Sequence, residues 1–224
     1  MSTFSLAESF VSINGEGQFA GKLALFLRFT GCNLRCSWCD TMWANAKDAP
    51  HTLCSTQHLL DTAKRAKEDH GICHVTLTGG EPLLQEGLPE LCDGLDSLGL
   101  MTEIETNGAV PLAPFLEKCS SSPCITMDYK LPASGMEDRM CLENFPLLRE
   151  KDTLKFVCAT QEDLDRAAQI ISKYKPVCAV FLSPVFGSIE PADMVEFMKK
   201  NRLGRARLQL QLHKLIWSPD KRGV

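Results

Sequence analysis

Two kinds of apolar pattern alternate along this chain. Short apolar runs such as 24–29 are typical of buried strands, whereas longer segments with apolar residues three or four apart are typical of amphipathic helices. The clearest helix is 55–70, because Ser55 is a suitable N-cap residue and Gly71 a suitable stop. The pattern predicts strands at 24–29, 72–77, 100–105, 124–130, 153–158, 177–182 and 206–212, helices at 55–70, 88–98, 112–118, 161–174 and 191–201, and a partly helical segment at 136–150.

This alternation predicts an α/β fold with a parallel sheet built from right-handed strand–helix–strand units. No linker, repeat or low-complexity tract divides the chain, so we expect residues 1–224 to form a single domain. In folds of this kind the functional side chains gather at the carboxyl ends of the strands.

Charge and apolar content exclude some classes of partner. The net charge of −4 and the isoelectric point of about 5.8 favour neither a nucleic-acid surface nor a polybasic membrane patch. The apolar runs are far shorter than the roughly 20 residues that span a bilayer. Residues 1–5 lack the basic and apolar regions of a secretion signal. We therefore expect a cytoplasmic protein.

The chain has eleven cysteines, and their placement separates them into two groups. Without a secretion signal, so many thiols favour a reducing compartment over a disulfide framework. Eight cysteines stand singly and are predicted to be small buried apolar residues: Cys54, Cys73, Cys92, Cys119, Cys124, Cys141, Cys158 and Cys178.

The other three, Cys32, Cys36 and Cys39, follow the strand 24–29 with the spacing C-x3-C-x2-C. A structural zinc site needs four ligands, so its fourth would have to be distant. A redox C-x-x-C pair would leave Cys32 without a role. A [4Fe–4S] cluster held by three thiolates would leave one iron open to a substrate or cofactor.

Further polar segments follow the next strands in order. These are Thr78-Gly79-Gly80-Glu81-Pro82, Glu105-Thr106-Asn107-Gly108 and Asp128-Tyr129-Lys130. Because the carboxyl ends of parallel strands lie at one edge of the sheet, we expect these segments to meet the cysteines at one mouth.

The cysteine spacing with the aromatic residue Trp38 resembles the signature of the radical S-adenosylmethionine (SAM) superfamily, and Gly79-Gly80-Glu81-Pro82 is similar to its GGEP segment. The resemblance implies a [4Fe–4S] cluster whose open iron binds the methionine part of SAM. It also implies that the exposed backbone of the GGEP segment and the carboxylate of Glu81 hold the amino group of SAM. Implied SAM contacts are Trp38, Gly79, Gly80, Glu81, Glu105, Asn107 and Lys130.

Other segments resemble the 7-carboxy-7-deazaguanine synthase family within that superfamily. They are 12–17, the strand 26–32 with its arginine, Cys39-Asp40-Thr41, the segment 105–108, and Gln211-Leu212-His213 followed by Trp217 and 221–224. Two positions depart from the family pattern: Asn14 replaces the usual glutamine, and 128–130 stands where many members have Ser-Pro-Lys. The resemblance implies an incomplete (β/α)6 barrel, a homodimer, and a flavodoxin or ferredoxin as electron donor.

The family reaction implies a pterin substrate, 6-carboxy-5,6,7,8-tetrahydropterin. In the reaction that the resemblance implies, a 5′-deoxyadenosyl radical takes hydrogen from C6, the ring contracts, ammonia leaves, and 7-carboxy-7-deazaguanine forms on the way to queuosine and related bases. Implied substrate contacts are Ile13, Asn14, Gly15, Glu16, Arg28, Thr78, Gly80 and His213, the last expected at the end of the strand 206–212.

A structural alternative exists for Arg28, and also for Thr41 and Asp40, to which the resemblance assigns a Mg²⁺ ion. Arg28 lies in an apolar strand and needs an anion, which could be the substrate carboxylate or an acid on a nearby helix. Thr41 and Asp40 carry oxygen ligands that suit Mg²⁺, which the family uses at the threonine, but they could equally form an N-cap or an Asx turn.

Other functions remain compatible with parts of the pattern. A glycyl-radical enzyme activase would share the cysteine motif and act on a large protein partner. A non-catalytic iron–sulfur or zinc module would use the cysteines without SAM chemistry.

Overall fold

The computed structural model describes residues 2–46, 48–219 and 221–224, and its strands form one nine-stranded sheet. The strands are β1 (Thr3–Ile13), β2 (Leu23–Phe29), β3 (Thr52–Ser55), β4 (His74–Gly79), β5 (Met101–Thr106), β6 (Cys124–Tyr129), β7 (Thr153–Cys158), β8 (Ala179–Pro184) and β9 (Ala206–Leu208). The helices are α1 (Thr56–His70), α2 (Leu88–Ser97), α3 (Ala113–Lys118), α4 (Gln161–Tyr174), α5 (Pro191–Lys200) and α6 (Leu212–Ile216).

The sheet is an open, partial barrel. Its strand order is β3-β1-β2-β4-β5-β6-β7-β8-β9, so β3 and β9 are its two edges. Strands β2 and β4 to β9 run parallel, while β1 is antiparallel to both β2 and β3. The predicted α/β class, parallel strands and incomplete barrel are confirmed.

Two local predictions were wrong, and one was confirmed. The strand at 24–29 is preceded by β1, which was not predicted, and β3 was also missed. The last strand ends at Leu208, and His213 lies in helix α6 and not at the end of a strand. The segment 136–150 is partly helical, as predicted, through 3-10 turns at Glu137–Arg139 and Leu142–Leu147.

Packing divides the sheet into an apolar outer face and a polar lumen. Helix α1 is one of the helices that cover the outer face. Ser55 Oγ caps it by accepting from His58 N–H, and Gly71 ends it with φ of 65°. Its buried residues, including Leu59, join one continuous apolar core with Val75 and Leu77 of β4. Alternate positions of the strands therefore face the helices, and the remaining ones are left for the lumen.

In the described part of the chain, no helix combines the length and apolar character needed to cross a membrane.

Candidate active site

A cavity of about 480 Å³ opens at the carboxyl ends of the parallel strands. The structure brings nearly all predicted site residues to its walls. They are Ile13, Gly15, Glu16, Arg28, Cys32, Cys36, Trp38, Cys39, Asp40, Thr41, Thr78, Gly79, Gly80, Glu105, Asn107, Lys130 and His213. Asn14 and Glu81 lie beneath this surface, with exposed fractions of 2% and 0%.

The loop that carries the three cysteines is closed by backbone hydrogen bonds. Gly31 N–H donates to the carbonyl of Ala44 at 2.9 Å, and Cys32 N–H donates to the carbonyl of Asn45 at 3.0 Å. The 3-10 turn Met42–Ala44 thus folds back beside the end of β2. All three thiols are free and line the same cavity.

The surroundings of the thiols suit a thiolate-bound iron–sulfur cluster. Cys32 Sγ accepts from Leu34 N–H at 3.4 Å and from Asn107 Nδ2 at 3.6 Å. Burial raises the pKa of Cys32 and Cys36, and the charge of Lys130 opposes this at Cys36. Because N–H donors and a cation stabilise anionic sulfur, this donor set fits such a cluster. Within the described chain, no three His, Cys, Asp or Glu side chains form a group that could bind a single metal ion.

The two glycines after β4 are required by close backbone packing. Gly80 N–H donates to Phe29 O at 3.0 Å, and Glu81 N–H donates to Gly31 O at 2.8 Å. A Cβ on Gly79 would overlap the backbone of Phe29, and one on Gly80 would overlap Gly31 O. This segment is therefore fixed directly against the start of the cysteine loop.

Glu81 joins two loops beneath the cavity. Its carboxylate accepts from Leu83 N–H at 3.0 Å, from Thr106 Oγ1 at 2.9 Å and from Asn107 N–H at 2.7 Å. Burial raises the pKa of Glu81 to about 7 against the opposing effect of these donors. In this structure the carboxylate orders the 105–108 turn and does not reach the cavity.

The β1–β2 connection crosses the lumen and forms part of the cavity floor. Gly17 N–H donates to Gln209 Oε1 at 2.8 Å, and Gln209 Nε2 donates to Gly17 O at 3.1 Å. Asn14 Oδ1 accepts from Thr76 Oγ1 at 2.9 Å. Gly15 packs so closely on the His213 ring that a Cβ would overlap it. The floor is therefore tied to both halves of the sheet.

A buried ion-pair network forms one wall. Lys155 Nζ lies 3.1 Å from Glu16 Oε2 and 3.5 Å from Asp128 Oδ1, and Lys130 Nζ lies 3.1 Å from Asp128 Oδ2. Burial acts to raise the pKa of Asp128, but Lys130 and Lys155 hold it below its usual value. Burial acts to lower the pKa of Lys155, but Asp128, Glu16 and Glu105 raise it well above its usual value. The wall is thus charged at neutral pH.

The pKa of Glu105 shifts in the opposite direction to that of Asp128. Burial raises its pKa to about 7, in spite of Lys155 and a hydrogen bond from Thr78. It is the acid of this wall whose protonation can change near neutral pH.

Arg28 and Asp40 each lie beside an oppositely charged side chain of the protein. Arg28 Nε lies 2.8 Å from Glu8 Oε1, so the alternative of an internal ion pair is realised, although its acid lies on strand β1 and not on a helix. Asp40 Oδ2 lies 3.3 Å from Lys214 Nζ. Thr41 occupies an N-cap position without a side-chain capping bond, and its hydroxyl is 3.6 Å from Cys39 Sγ.

Sequence reasoning missed several residues of the site. Lys155 had a usable signal, because it is a charged residue inside the apolar strand β7. Ser183, which donates to Glu16 Oε1 at 3.1 Å, and Gln209 had none, because their partners are far away in sequence. Asn45 likewise follows the cysteine loop without a pattern that marks it.

Comparison with known proteins gave consistent matches. The family model described as the Radical SAM superfamily matches residues 26–200. A 7-carboxy-7-deazaguanine synthase of Clostridium acetobutylicum is 49% identical over 225 residues, covering 99% of each chain. One of Chlorobaculum tepidum is 36% identical and covers 98% of this chain and 97% of its own.

Solved structures show the same fold. The crystal structure of QueE from Escherichia coli has a TM-score of 0.71 at 24% identity, and the match covers 93% of this chain and 94% of that one. Streptococcus suis SuiB has a TM-score of 0.57 at 18% identity and covers 81% of this chain and 46% of its own.

Proposed function

Because this chain belongs to the radical SAM superfamily and to its 7-carboxy-7-deazaguanine synthase family, we propose that it converts 6-carboxy-5,6,7,8-tetrahydropterin into 7-carboxy-7-deazaguanine with loss of ammonia. The observation that carries this proposal is the 49% identity to a synthase of that name over 99% of both chains. The product is a precursor of queuosine and related 7-deazapurines.

Cys32, Cys36 and Cys39 would hold the [4Fe–4S] cluster. When bound, the cluster and SAM supply a carbon-centred radical that removes a hydrogen atom from the substrate. The contribution of the protein is to bind, to orient and to exclude water. The polarised N–H groups at Cys32 and the charge of Lys130 beside Cys36 support this ligand assignment.

SAM would lie against the GGEP segment and the ends of β5 and β6. We assign to it the exposed backbone of Gly79 and Gly80, with Trp38, Glu105, Asn107 and Lys130. Lys130 Nζ lies 5.3 Å from the centre of the Trp38 ring, which places a cation and an aromatic face together. We assign Glu81 a supporting role, since its oxygens already accept from the 105–108 turn.

The pterin would lie over the lumen floor. Glu16 is held by Lys155 and Ser183 and would accept from the N–H groups of the pterin's guanidine-like edge. Arg28 would bind the substrate carboxylate. Ile13, Gly15, Thr78, Gly80 and His213 would complete the contacts, while Asn14, tied to Thr76, would support the floor.

Mg²⁺, the oligomeric state and the electron donor belong to the same proposal. We infer that Thr41, with Asp40 as the weaker candidate, contributes to a Mg²⁺ site that faces the substrate. We also infer a homodimer that receives electrons from a flavodoxin or ferredoxin in the cytoplasm. The eleven free thiols support a reducing compartment.

The decisive experiment is anaerobic turnover. Reconstituted protein with dithionite, SAM, Mg²⁺ and the carboxytetrahydropterin should form 7-carboxy-7-deazaguanine, detected by mass spectrometry. Cys36→Ala should abolish the product. Cys73→Ala, which removes an exposed thiol outside the cavity, should not.

The remaining outcomes separate the alternatives. Formation of 5′-deoxyadenosine without the deazaguanine would support SAM cleavage and contradict the pterin as substrate. A glycyl-radical enzyme activase would then be the favoured function. An intact cluster that cleaves no SAM would favour a non-catalytic electron carrier. A colourless, zinc-loaded protein would favour the zinc module.

A further inference from the structure

Asn45 contacts both ends of the cysteine motif. It directly follows the 3-10 turn Met42–Ala44, and only 4% of its surface is exposed. Its carbonyl oxygen accepts from Cys32 N–H at 3.0 Å, and its side-chain Nδ2 donates to Cys39 Sγ at 3.4 Å. One residue therefore contacts the backbone of the first cysteine of the motif and the sulfur of the last.

The side-chain bond is distinct from ordinary loop closure. Backbone hydrogen bonds of Gly31 and Cys32 already fix the loop path, and they do not need the amide of Asn45. The amide is buried and its partner is the sulfur of a cluster cysteine. A hydrogen bond to that sulfur acts on the rotamer of Cys39 and on the charge that the sulfur carries.

The donors around the three sulfurs are unequal. Cys32 has Leu34 N–H and Asn107 Nδ2, Cys39 has Asn45 Nδ2, and Cys36 is influenced by the charge of Lys130. Hydrogen bonds to the sulfurs are one of the factors that set the potential of an iron–sulfur cluster, because reduction adds negative charge that N–H donors stabilise.

We propose that Asn45 is a positioning residue for the cluster: its amide orients Cys39 and, through the N–H···S hydrogen bond, raises the reduction potential. The protein thereby makes the cluster easier to reduce by its electron donor. The inference rests on the cluster of the radical SAM family and not on the pterin, so measurements without substrate separate its failure from failure of the proposed function.

The test is the midpoint potential of the reconstituted cluster, followed by electron paramagnetic resonance during a redox titration without SAM or substrate. Asn45→Ala removes the donor and keeps the backbone carbonyl. Asn45→Asp keeps the shape and replaces the donor by an acceptor. Asn201→Ala is the matched control, because Asn201 follows helix α5 in the same way and its Nδ2 donates to a backbone carbonyl, that of Phe197.

We expect Asn45→Ala to shift the potential to a more negative value, Asn45→Asp to shift it further, and Asn201→Ala to leave it unchanged. A variant that folds with the parent's unfolding midpoint but loses iron during gel filtration would support the orienting role. Unchanged potentials in both Asn45 variants with full iron content would overturn the proposal. Failure of both variants to fold would also overturn it, since the amide would then be a structural residue.

Discussion

Arg28 and Glu8 face each other across strands β2 and β1, and Arg28 Nε lies 2.8 Å from Glu8 Oε1. In the part of the chain that the structure describes, no protein acceptor pairs with the two terminal nitrogens of Arg28. Glu8 therefore orients the guanidinium from one side, and the other edge is the one to which we assign the substrate carboxylate. The observed ion pair is thus compatible with the proposed carboxylate site.

Arg28→Met should raise the KM for the carboxypterin by about 30-fold or more, because a charge-assisted hydrogen bond to a carboxylate contributes roughly 2–3 kcal/mol. Glu8→Gln should raise it by only about 3- to 10-fold, since the arginine stays but is less well oriented. Inhibition by a tetrahydropterin without the carboxylate is the control and should be equal in Arg28→Met and the parent. Equal losses for both ligands would mean that Arg28 shapes the cavity and does not bind the carboxylate.

Lys155→Met should lower the free energy of unfolding of the cluster-free protein by about 3 kcal/mol. The change leaves the carboxylates of Glu16 and Asp128 without their shared cation, and an uncompensated buried charge is costly. Lys199→Met is the matched control. Lys199 pairs with Glu196 on the surface, and its loss should cost less than about 0.5 kcal/mol. Denaturant unfolding measures both, and equal stabilities would contradict the network.

Gly80→Ala should destabilise the protein by about 1–3 kcal/mol and lower its iron content, because the new Cβ would push against Gly31 at the start of the cysteine loop. Gly204→Ala should be close to neutral, since no atom lies within 4 Å of a Cβ at that position. Unfolding curves and iron analysis of the two variants are the measurements. The prediction fails if Gly80→Ala binds iron and unfolds like the Gly204 variant.

Deprotonation of Glu105 should make the cluster-free protein less stable as pH rises from about 5 to 7.5. Its pKa is raised in the folded state to about 7 from 4.5, so the folded state binds the proton more tightly. Stability from this group is complete below the lower value and is lost as pH passes the higher one. Because Glu105 is partly exposed, solvent screening reduces this effect. We expect the free energy of unfolding to fall by about 2 kcal/mol over this pH range. Glu105→Gln should flatten this slope, and an unchanged slope would assign it to other groups.

Thr41→Val should raise the Mg²⁺ concentration for half-maximal turnover by about tenfold or more, whereas Asp40→Asn should change it by less than about threefold. The reason is geometric: Asp40 is more than half exposed and pairs with Lys214, while the hydroxyl of Thr41 faces the cysteine loop. Titrations of turnover with Mg²⁺ give the result. A larger effect at Asp40 would reverse the assignment.

Most of the sheet was predictable because its strands are short apolar runs between amphipathic helices. Strand β1 was missed because its alternation is weak: Phe4 and Leu6 are buried, but the pairing register shifts between Leu6 and Glu8. Helix α6 was read as the end of a strand, since a two-residue period in 206–212 continues past the point where pairing stops at Leu208. Local pattern carries no information on where a partner strand ends.

The cavity walls were predictable only where the chain places polar motifs after strands. Glu16 was selected, but its partners Lys155 and Ser183 were not, because the contacts join residues 139 and 167 positions apart. For Glu81, the residue was predicted but the position of its carboxylate was not. The motif gives the residue, yet only the structure reveals that its carboxylate is used by Thr106 and Asn107 beneath the surface.

The reciprocal hydrogen bonds between Gly17 and Gln209 have a consequence for synthesis of the protein. They join residues 192 positions apart, so the cavity floor cannot close until nearly the whole chain has left the ribosome. Contacts of such long sequence separation form late and slowly. A nascent chain will therefore carry three unprotected cysteines near its amino end well before a closed pocket exists to receive iron.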